Sequence, residues 1–187
     1  EKMKTKYHRE WFEETGAKFT VEVSLLKDIA TLTIDTSGPG LHKRGYRLDS
    51  VEAPLKETLA AALVQLSYWN KDRLLVDPFC GSGTIAIEAA MIGKNMAPGL
   101  YRNFASEEWP RVKKEYWNDA RRNAWDVMED EGKLNIIASD IDHKAIEAAR
   151  ENAENIGLEE DITFIIKDIR NLKLDNDYGV IITNPPY

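Results

Sequence analysis

Short apolar runs that each end in a polar side chain constrain the fold of this chain more than any other feature. Four such runs occur, at residues 73–77, 135–139, 162–167 and 179–183. The polar side chains at their ends are Asp77, Asp140, Asp168 and Asn184. Strands this uniformly apolar are typical of a parallel sheet covered on both faces, and helical periodicity separates them. The sequence therefore predicts an α/β fold, a doubly wound Rossmann-like sheet.

The carboxyl ends of these strands are the expected location of a functional site. Parallel strands end at the same edge of a sheet, and ligands of such sheets bind in the crevice outside those ends. Asp77, Asp140, Asp168 and Asn184 are therefore predicted to share one cleft. An aspartate after a strand can also be only a turn former or a helix cap, and this interpretation stays open for each acid.

The beginning of the chain has a different pattern. Residues 19–34 alternate apolar and polar positions on either side of Lys27 and Asp28, which predicts a β-hairpin. The segment "DTSGPG" at 35–40 then interrupts the alternation, as a linker would. We place a boundary near residue 50, which gives a small β-rich piece at 1–50 and a sheet domain at 51–187.

Helical patterns connect the strands of the sheet domain. Pro54 suits the first turn of a helix. The segment from Ser106 to Met128 has amphipathic spacing, which predicts one helix with Ser106 as its cap. Asp142 is predicted to cap a further helix, which closes at Gly157.

Composition limits the partners and the type of site. Thirty-two acids against twenty-five bases give a net charge of −7, which disfavours non-specific binding of phosphates. The basic strip His42–Arg47 is a candidate for local contact with nucleic acid, and equally a solvated loop. The single cysteine, Cys80, excludes an internal disulfide, and the scattered histidines predict no metal site. Without a long apolar run or signal core, the chain is predicted to be cytoplasmic and outside membranes.

The glycine turn "GSGTIA" at 81–86 opens a helix that is predicted to end at Gly93. It is not a phosphate-cradling P-loop, because no Lys-Ser/Thr pair follows the glycines. A dinucleotide is disfavoured, because Asp77 would repel a pyrophosphate and Asp140 lies far beyond the expected spacing of about twenty residues. S-Adenosylmethionine carries a sulfonium and an ammonium group but no phosphate, so the same acid would attract it. We therefore predict S-adenosylmethionine as the cofactor.

Residues at this edge are predicted to contact different parts of that cofactor. Gly81 and Gly83 would let the backbone approach the methionine moiety, and the helix amino terminus at Thr84 favours a nearby carboxylate. Asp140 is placed to accept both ribose hydroxyls, and Asp168 could accept from the adenine amino group. The predicted contacts also include three apolar neighbours of the strand-end acids, Phe79, Ile141 and Ile169.

The segment "NPPY" at 184–187 predicts the chemistry of the acceptor. The Asn184 side-chain oxygen and the Pro185 carbonyl could both accept hydrogen bonds from an exocyclic base amine, which would hold its nitrogen towards the methyl donor. Pro186 helps to fix the backbone, and Tyr187 offers a face for a flipped or unpaired base, worth about 1–3 kcal/mol. The alternative is an ordinary turn after a core strand.

Several motifs together resemble a known family. "DPFCGSGT", "SDID", "KDIRNL" and "NPPY" are similar to the motifs of adenosylmethionine-dependent methyltransferases that modify exocyclic amines of nucleic acids. More narrowly, "LHKRGYR", "APLKETLAAAL" and "NMAPGLYRNFASEEW" resemble the THUMP-associated RNA guanine-N2 methyltransferases, whose bacterial members are often labelled N6-adenine-specific DNA methylases. The resemblance covers nearly all of residues 19–187.

This resemblance implies further properties. Residues 1–50 would be the end of a THUMP or ferredoxin-like RNA-binding region with its linker, and residues 51–187 the first part of the methyltransferase domain. Thr58 would contact the methionine end of the cofactor. The substrate would be ribosomal RNA, of the large subunit, methylated at guanine N2. The family fold has seven strands, of which four are visible here, so the chain is expected to be a fragment.

Other functions would use parts of the same pattern. N6-adenine methylation of DNA uses the same terminal motif and stays open. A non-catalytic RNA-binding module with a cofactor-shaped fold also stays open. Methylation at cytosine C5 is disfavoured, because it needs a nucleophilic cysteine and Cys80 lies in the glycine turn, where a small apolar residue is expected. The oligomeric state is not predicted.

Overall fold

The computed structural model describes residues 2–47, 55–129, 132–174 and 177–186. The chain divides into two compact units, one formed by residues 1–39 with 104–117 and the other by residues 40–103 with 118–187. The predicted boundary near residue 50 and the predicted first-turn proline, Pro54, lie outside the described residues. That boundary therefore stays a prediction.

The first unit contains the predicted hairpin. A short helix α1 (Lys2–Tyr7) precedes strands β1 (Thr20–Leu26) and β2 (Ile29–Asp35), which pair antiparallel. Lys27 and Asp28 form the two-residue turn, and both have positive φ angles, of 49° and 61°. Turns of this hand match the twist of paired strands, so the register follows from the turn.

The helix predicted from Ser106 to Met128 is wrong in its first part. The structure has a 3₁₀ turn at Ala105–Glu108 and begins helix α4 only at Lys114, ending at Asp126. Pro110 explains the break, because proline has no amide hydrogen and disfavours helical backbone at the residue before it. Trp109 is accordingly extended, with ψ of 128°. Ser106 is no helix cap, since its hydroxyl donates to the Thr36 carbonyl at 3.0 Å.

The second unit contains the predicted parallel sheet. Its strands are β3 (Leu75–Asp77), β4 (Ile136–Asp140), β5 (Ile162–Ile166) and β6 (Val180–Ile181). All pairs are parallel, and the order across the sheet is β5-β4-β3-β6. The α/β fold with a doubly wound sheet is confirmed.

Three helices surround this sheet at the predicted places. They are α2 (Glu57–Leu66), α3 (Thr84–Gly93) and α5 (His143–Glu154). Helix α3 contacts β3, β4 and β5 and is buried along almost its whole length, whereas α5 contacts β4 and β5. Asp142 caps α5 as predicted, because its carboxylate accepts from the Lys144 amide at 3.0 Å. Gly157, three residues beyond α5, has the left-handed φ of 70° that ends such helices.

The core of the second unit lies between these helices and the central strands. Ile136 in β4 is 1% exposed, whereas Ile166 at the end of β5 is 52% exposed. The same truncation at the two positions should therefore have different consequences.

We expect Ile136→Ala to lower the free energy of unfolding by about 2–5 kcal/mol, because it opens a cavity among well-packed atoms. Ile166→Ala is the matched control and should cost less than about 1 kcal/mol, as surface truncations do. Urea unfolding followed by circular dichroism measures both. Equal losses for the two variants would contradict the position of the core.

Candidate functional site

The crevice at the carboxyl ends of β3 and β6 is the candidate site. Beyond β3 the chain builds β4 and β5 on one side of the sheet and then crosses to place β6 on the other side. The carboxyl ends of β3 and β6 therefore flank the point where the strand order reverses, which is where doubly wound sheets bind ligands. Asp77 is the last residue of β3, and Asn184 follows the end of β6 by three residues.

Asp77 is a buried carboxylate at the centre of this crevice. Its side chain is 1% exposed. The Thr183 hydroxyl donates to Oδ1 at 2.7 Å, and the Phe79 amide donates to the same oxygen at 3.3 Å. Among the described residues, nothing donates to Oδ2. Burial raises the pKa of Asp77 to about 6, the two hydrogen bonds oppose that rise, and the charge of Asp140 adds to it.

The glycine turn ties the end of β3 to the end of β4. Gly81 and Gly83 both adopt the left-handed conformation, with φ of 51° and 81°. The Gly81 amide donates to Asp140 Oδ2 at 3.0 Å. The Asp142 amide donates to the other oxygen, Oδ1, at 3.0 Å. The structure therefore brings Asp77, Gly81 and Asp140 together at this edge of the sheet.

Three strands end in the same local geometry. The first carboxylate oxygens of Asp77, Asp140 and Asp168 each accept from the backbone amide two residues further on. Such Asx turns satisfy an amide that the sheet leaves unpaired and fix the side-chain rotamer. All three acids therefore form turns, and this role does not exclude ligand binding by the remaining oxygen lone pairs.

Asp168 differs from the other two acids by its charged partner. The Arg170 guanidinium contacts the Asp168 carboxylate at 2.5 Å, and the Arg170 amide donates to it at 2.9 Å. These contacts lower the pKa of Asp168 to about 2. A ligand amine at this position would share the carboxylate with Arg170. The contact of Arg170 with Asp168 was not predicted, although Arg170 lies only two residues after Asp168 in the sequence.

Residues outside the sheet contact the start of helix α3. Gly83 precedes the helix, and a Cβ built on it would lie 3.0 Å from the Ala149 side chain. The Thr84 hydroxyl accepts from Arg47 Nη2 at 2.7 Å. Thr84 therefore has a partner that the sequence did not predict. Thr58, the predicted contact in α2, is exposed in the first turn of that helix.

The remaining predicted residues lie at the same edge or outside the described residues. Asn184, Pro185 and Pro186 are exposed beyond β6. Tyr187 lies outside the described residues. The apolar neighbours of the acids follow the strand ends, with Phe79 half-buried and Ile141 and Ile169 exposed.

Cys80 is unsuited to nucleophilic catalysis. It is buried in the glycine turn, and burial together with the charges of Asp77 and Asp140 raises the pKa of its thiol. A thiol that stays protonated is a poor nucleophile. Its surroundings agree with the expectation from sequence that Cys80 packs rather than reacts.

Metal-binding clusters and membrane-spanning helices are both absent from the described residues. Within residues 2–47, 55–129, 132–174 and 177–186, no group of three or more His, Cys, Asp or Glu side chains could hold a metal ion. In the same ranges no helix has the length and apolarity to cross a membrane.

Two curated proteins are similar to this chain. It is 55% identical over 178 residues to a Bacillus subtilis (strain 168) protein named "Putative RNA methyltransferase YpsC". The alignment covers 95% of this chain and 46% of that protein. It is 43% identical over 176 residues to "Ribosomal RNA large subunit methyltransferase K/L" of Shewanella woodyi. This alignment covers 91% of this chain and 25% of that protein. The chain therefore spans less than half of the length of these relatives.

Two solved structures share the fold. A Listeria monocytogenes protein described as a "predicted N6-adenine-specific DNA methylase" superposes with a TM-score of 0.92 at 53% identity, over 99% of this chain and 49% of that one. SMU.472, described as "a putative methyltransferase complexed with SAH", gives a TM-score of 0.90 at 45% identity, over 100% of this chain and 49% of that one.

A family match covers most of the chain. The family described as "UPF0020: RMKL-like, methyltransferase domain" matches residues 44–187, which include the whole parallel sheet and its crevice. With more than half of its length matched, the chain belongs to the RMKL-like methyltransferase domain family, UPF0020.

Proposed function

We propose that this chain carries the catalytic part of an S-adenosylmethionine-dependent RNA methyltransferase, which modifies the N2 amine of a guanine in large-subunit ribosomal RNA. The observation that carries the proposal is the hydrogen bond from Thr183 to Asp77, because it holds a buried carboxylate next to the exposed amide of Asn184. A site for a cation thus adjoins a site for an amine. A ribosomal RNA substrate would place the reaction in the cytoplasm.

The residues of the crevice fit the cofactor. Asp77 Oδ2 accepts no hydrogen bond from the described residues, so it is the oxygen that would accept from an ammonium group. A Cβ built on Gly81 meets nothing within 4 Å, so there is open space beside the glycine turn for the methionine moiety. Asp140 would bind the ribose hydroxyls, and Asp168 with Ile169 would adjoin the adenine. When bound, S-adenosylmethionine supplies the methyl group from its sulfonium.

The remaining assigned contacts follow the same plan. Phe79 and Ile141 would pack against the cofactor, and Thr58 and the amide end of helix α3 at Thr84 would lie at its methionine end. SMU.472 supports this assignment, since its structure has the same fold and contains SAH.

The acceptor amine would be held by the segment after β6. The Asn184 side-chain oxygen and the Pro185 carbonyl would accept its two hydrogens, which keeps the nitrogen lone pair directed at the methyl group. Pro186 restricts the backbone, so the two acceptors keep one geometry. Tyr187 is proposed to stack on the base. No strong base is needed, because the methylated amine is acidic and loses its proton to water.

The hairpin supports the proposal that residues 1–50 belong to a larger RNA-binding region, of THUMP or ferredoxin-like type, with the methyltransferase domain at 51–187. Alternate residues of β1 and β2 form a wholly apolar face, and its large side chains are at least 54% exposed: Val21, Val23, Leu25, Leu32 and Ile34. A two-stranded hairpin is only marginally stable alone and needs a partner for such a face. Curated relatives of more than twice this length have sequence that could supply one.

Methylation of adenine N6 in DNA is the second candidate. The Listeria neighbour is described as a DNA methylase, and an adenine N6 amine would fit the same two acceptors. The names of the curated relatives favour RNA. A third possibility, a non-catalytic RNA-binding module, predicts that no cofactor binds.

The protonation of Asp77 should control cofactor affinity. Because its pKa is about 6, the carboxyl is neutral at lower pH and attracts a cation less. We expect the affinity for S-adenosylmethionine, measured by calorimetry between pH 5 and 8, to fall by up to about tenfold per unit below pH 6. Asp77→Asn keeps an oxygen for Thr183, and should weaken binding at pH 8 by about tenfold or more and remove this pH dependence.

Asp119→Asn is the control for this prediction, because it removes a carboxylate from the exposed side of helix α4. It should bind as the unchanged protein does at every pH. Equal affinities of the Asp77 variant and the unchanged protein at pH 8 would disprove the cation site. No binding by the folded, unchanged protein would favour the non-catalytic module.

Loss of the Asn184 amide should affect methyl transfer and leave cofactor binding intact. In the full-length protein, Asn184→Ala should lower kcat by about 10²–10³-fold, as removal of one preorganised hydrogen-bonding group does elsewhere. Asn118→Ala, which truncates an exposed amide in α4, should have no effect. Transfer of labelled methyl groups to unmodified ribosomal RNA and to duplex DNA, compared side by side, measures both activity and substrate. Transfer to DNA alone would replace the RNA proposal with the adenine alternative.

A further inference from the structure

A basic cavity in the second unit has no role in the site described above. Its volume is about 530 Å³, within the range of about 300–1,000 Å³ that small-ligand sites have. Four cationic side chains, one histidine and one carboxylate line it: Lys43, Arg44, Arg47, Lys56, His42 and Glu57. A cavity with this excess of positive charge is unexpected in a chain whose net charge is −7.

The two arginines of the cavity are held in place by ion pairs and hydrogen bonds to neighbouring side chains. Arg44 Nε and Nη2 contact the two carboxylate oxygens of Glu88, both at 3.3 Å, and Glu88 is 2% exposed. Arg47 Nη2 donates to the Thr84 hydroxyl at 2.7 Å and lies 3.4 Å from the Glu57 carboxylate. Guanidinium groups fixed in this way are preorganised to bind oxygen anions.

Several donors of the cavity are still unused. The Nε of Arg47 is buried and has no hydrogen-bond partner among the residues that the structure describes, which is rare in folded proteins. Lys43 and Lys56 are exposed, and in the described parts of the chain neither forms an ion pair. Glu88 and Glu57 pair with the two arginines, so the two lysines are the cations of this cavity that no carboxylate of the described residues neutralises.

The position of the cavity relates it to the candidate site. Arg47 joins the cavity wall to Thr84, the first residue of helix α3, which directly follows the glycine turn. An anion in the cavity would thus lie on the side of α3 where helices α2 and α3 begin. Two of its lining residues, Lys43 and Lys56, are exposed, so their ammonium groups can be reached from solvent.

We infer that this cavity binds a backbone phosphate of the RNA whose base enters the crevice. The inference rests on the proposed function, since it assigns a second contact to the same substrate. A phosphodiester needs several positive donors, and the two arginines and two lysines that line this cavity supply them. The carboxylate of the cofactor has similar chemistry, so the test must separate the two anions.

The test uses the full-length protein and an unmodified single-stranded fragment of ribosomal RNA. The double variant Lys43→Gln with Lys56→Gln should bind this RNA more weakly, and the slope of log affinity against log salt should fall by about 0.7 for each phosphate that the variant no longer neutralises. Its KM for RNA should rise at unchanged kcat. Its affinity for S-adenosylmethionine should equal that of the unchanged protein.

The matched control is Lys133→Gln with Lys173→Gln, which removes the same charge at exposed positions away from the cavity. An equal decrease in salt dependence in the control would overturn the inference, as would an unchanged slope in the cavity variant. Loss of cofactor affinity with unchanged RNA affinity would assign the cavity to the cofactor carboxylate instead. If the proposed function itself is wrong, the unchanged protein will transfer no methyl group to RNA. That result differs from every outcome that would overturn only the assignment of the cavity.

Discussion

The burial of the Asp77 carboxylate is the constraint on which the rest of the site depends. It ends β3, one of the two inner strands of the four-stranded sheet that the described residues form, and it is 1% exposed. A carboxylate in such a position is stable only with hydrogen-bond donors, which here come from Phe79 and Thr183. These two donors belong to the glycine turn and to the segment after β6. The same requirement that keeps the charge satisfied therefore brings the two halves of the crevice together.

The repeated Asx turns extend this principle across the sheet. Asp77, Asp140 and Asp168 each use one oxygen to fix the chain as it leaves a strand. Their orientation is therefore set by the fold itself, before any ligand arrives. Preorganised groups cost less to use in binding than groups that must be ordered by the ligand. The structural role of each aspartate is therefore compatible with the binding role that we propose for it.

Most of the sheet could be predicted from sequence, because its strands are short apolar runs between helical segments. Burial on both faces holds at every position only for β3, since side chains of β5 alternate between buried and exposed. The cap at Asp142 could be predicted because its cause is local. The helix from Ser106 was wrong because periodicity alone does not register the effect of Pro110 on its predecessor. The contacts of Thr183 and Arg47 could not be predicted, because each joins segments far apart in the chain and depends on how they pack.

Strand β6 has a consequence for how the site assembles. It is two residues long and pairs with a single neighbour, β3, within the described part of the sheet. The Thr183–Asp77 hydrogen bond joins residues 106 positions apart, so the entropy of closing this long loop opposes its formation. Short, singly paired strands are also the first to open in native-state exchange. Amide hydrogens of this strand should therefore exchange faster than those of β4, and each opening would separate the proposed amine-binding segment from the carboxylates without unfolding the sheet.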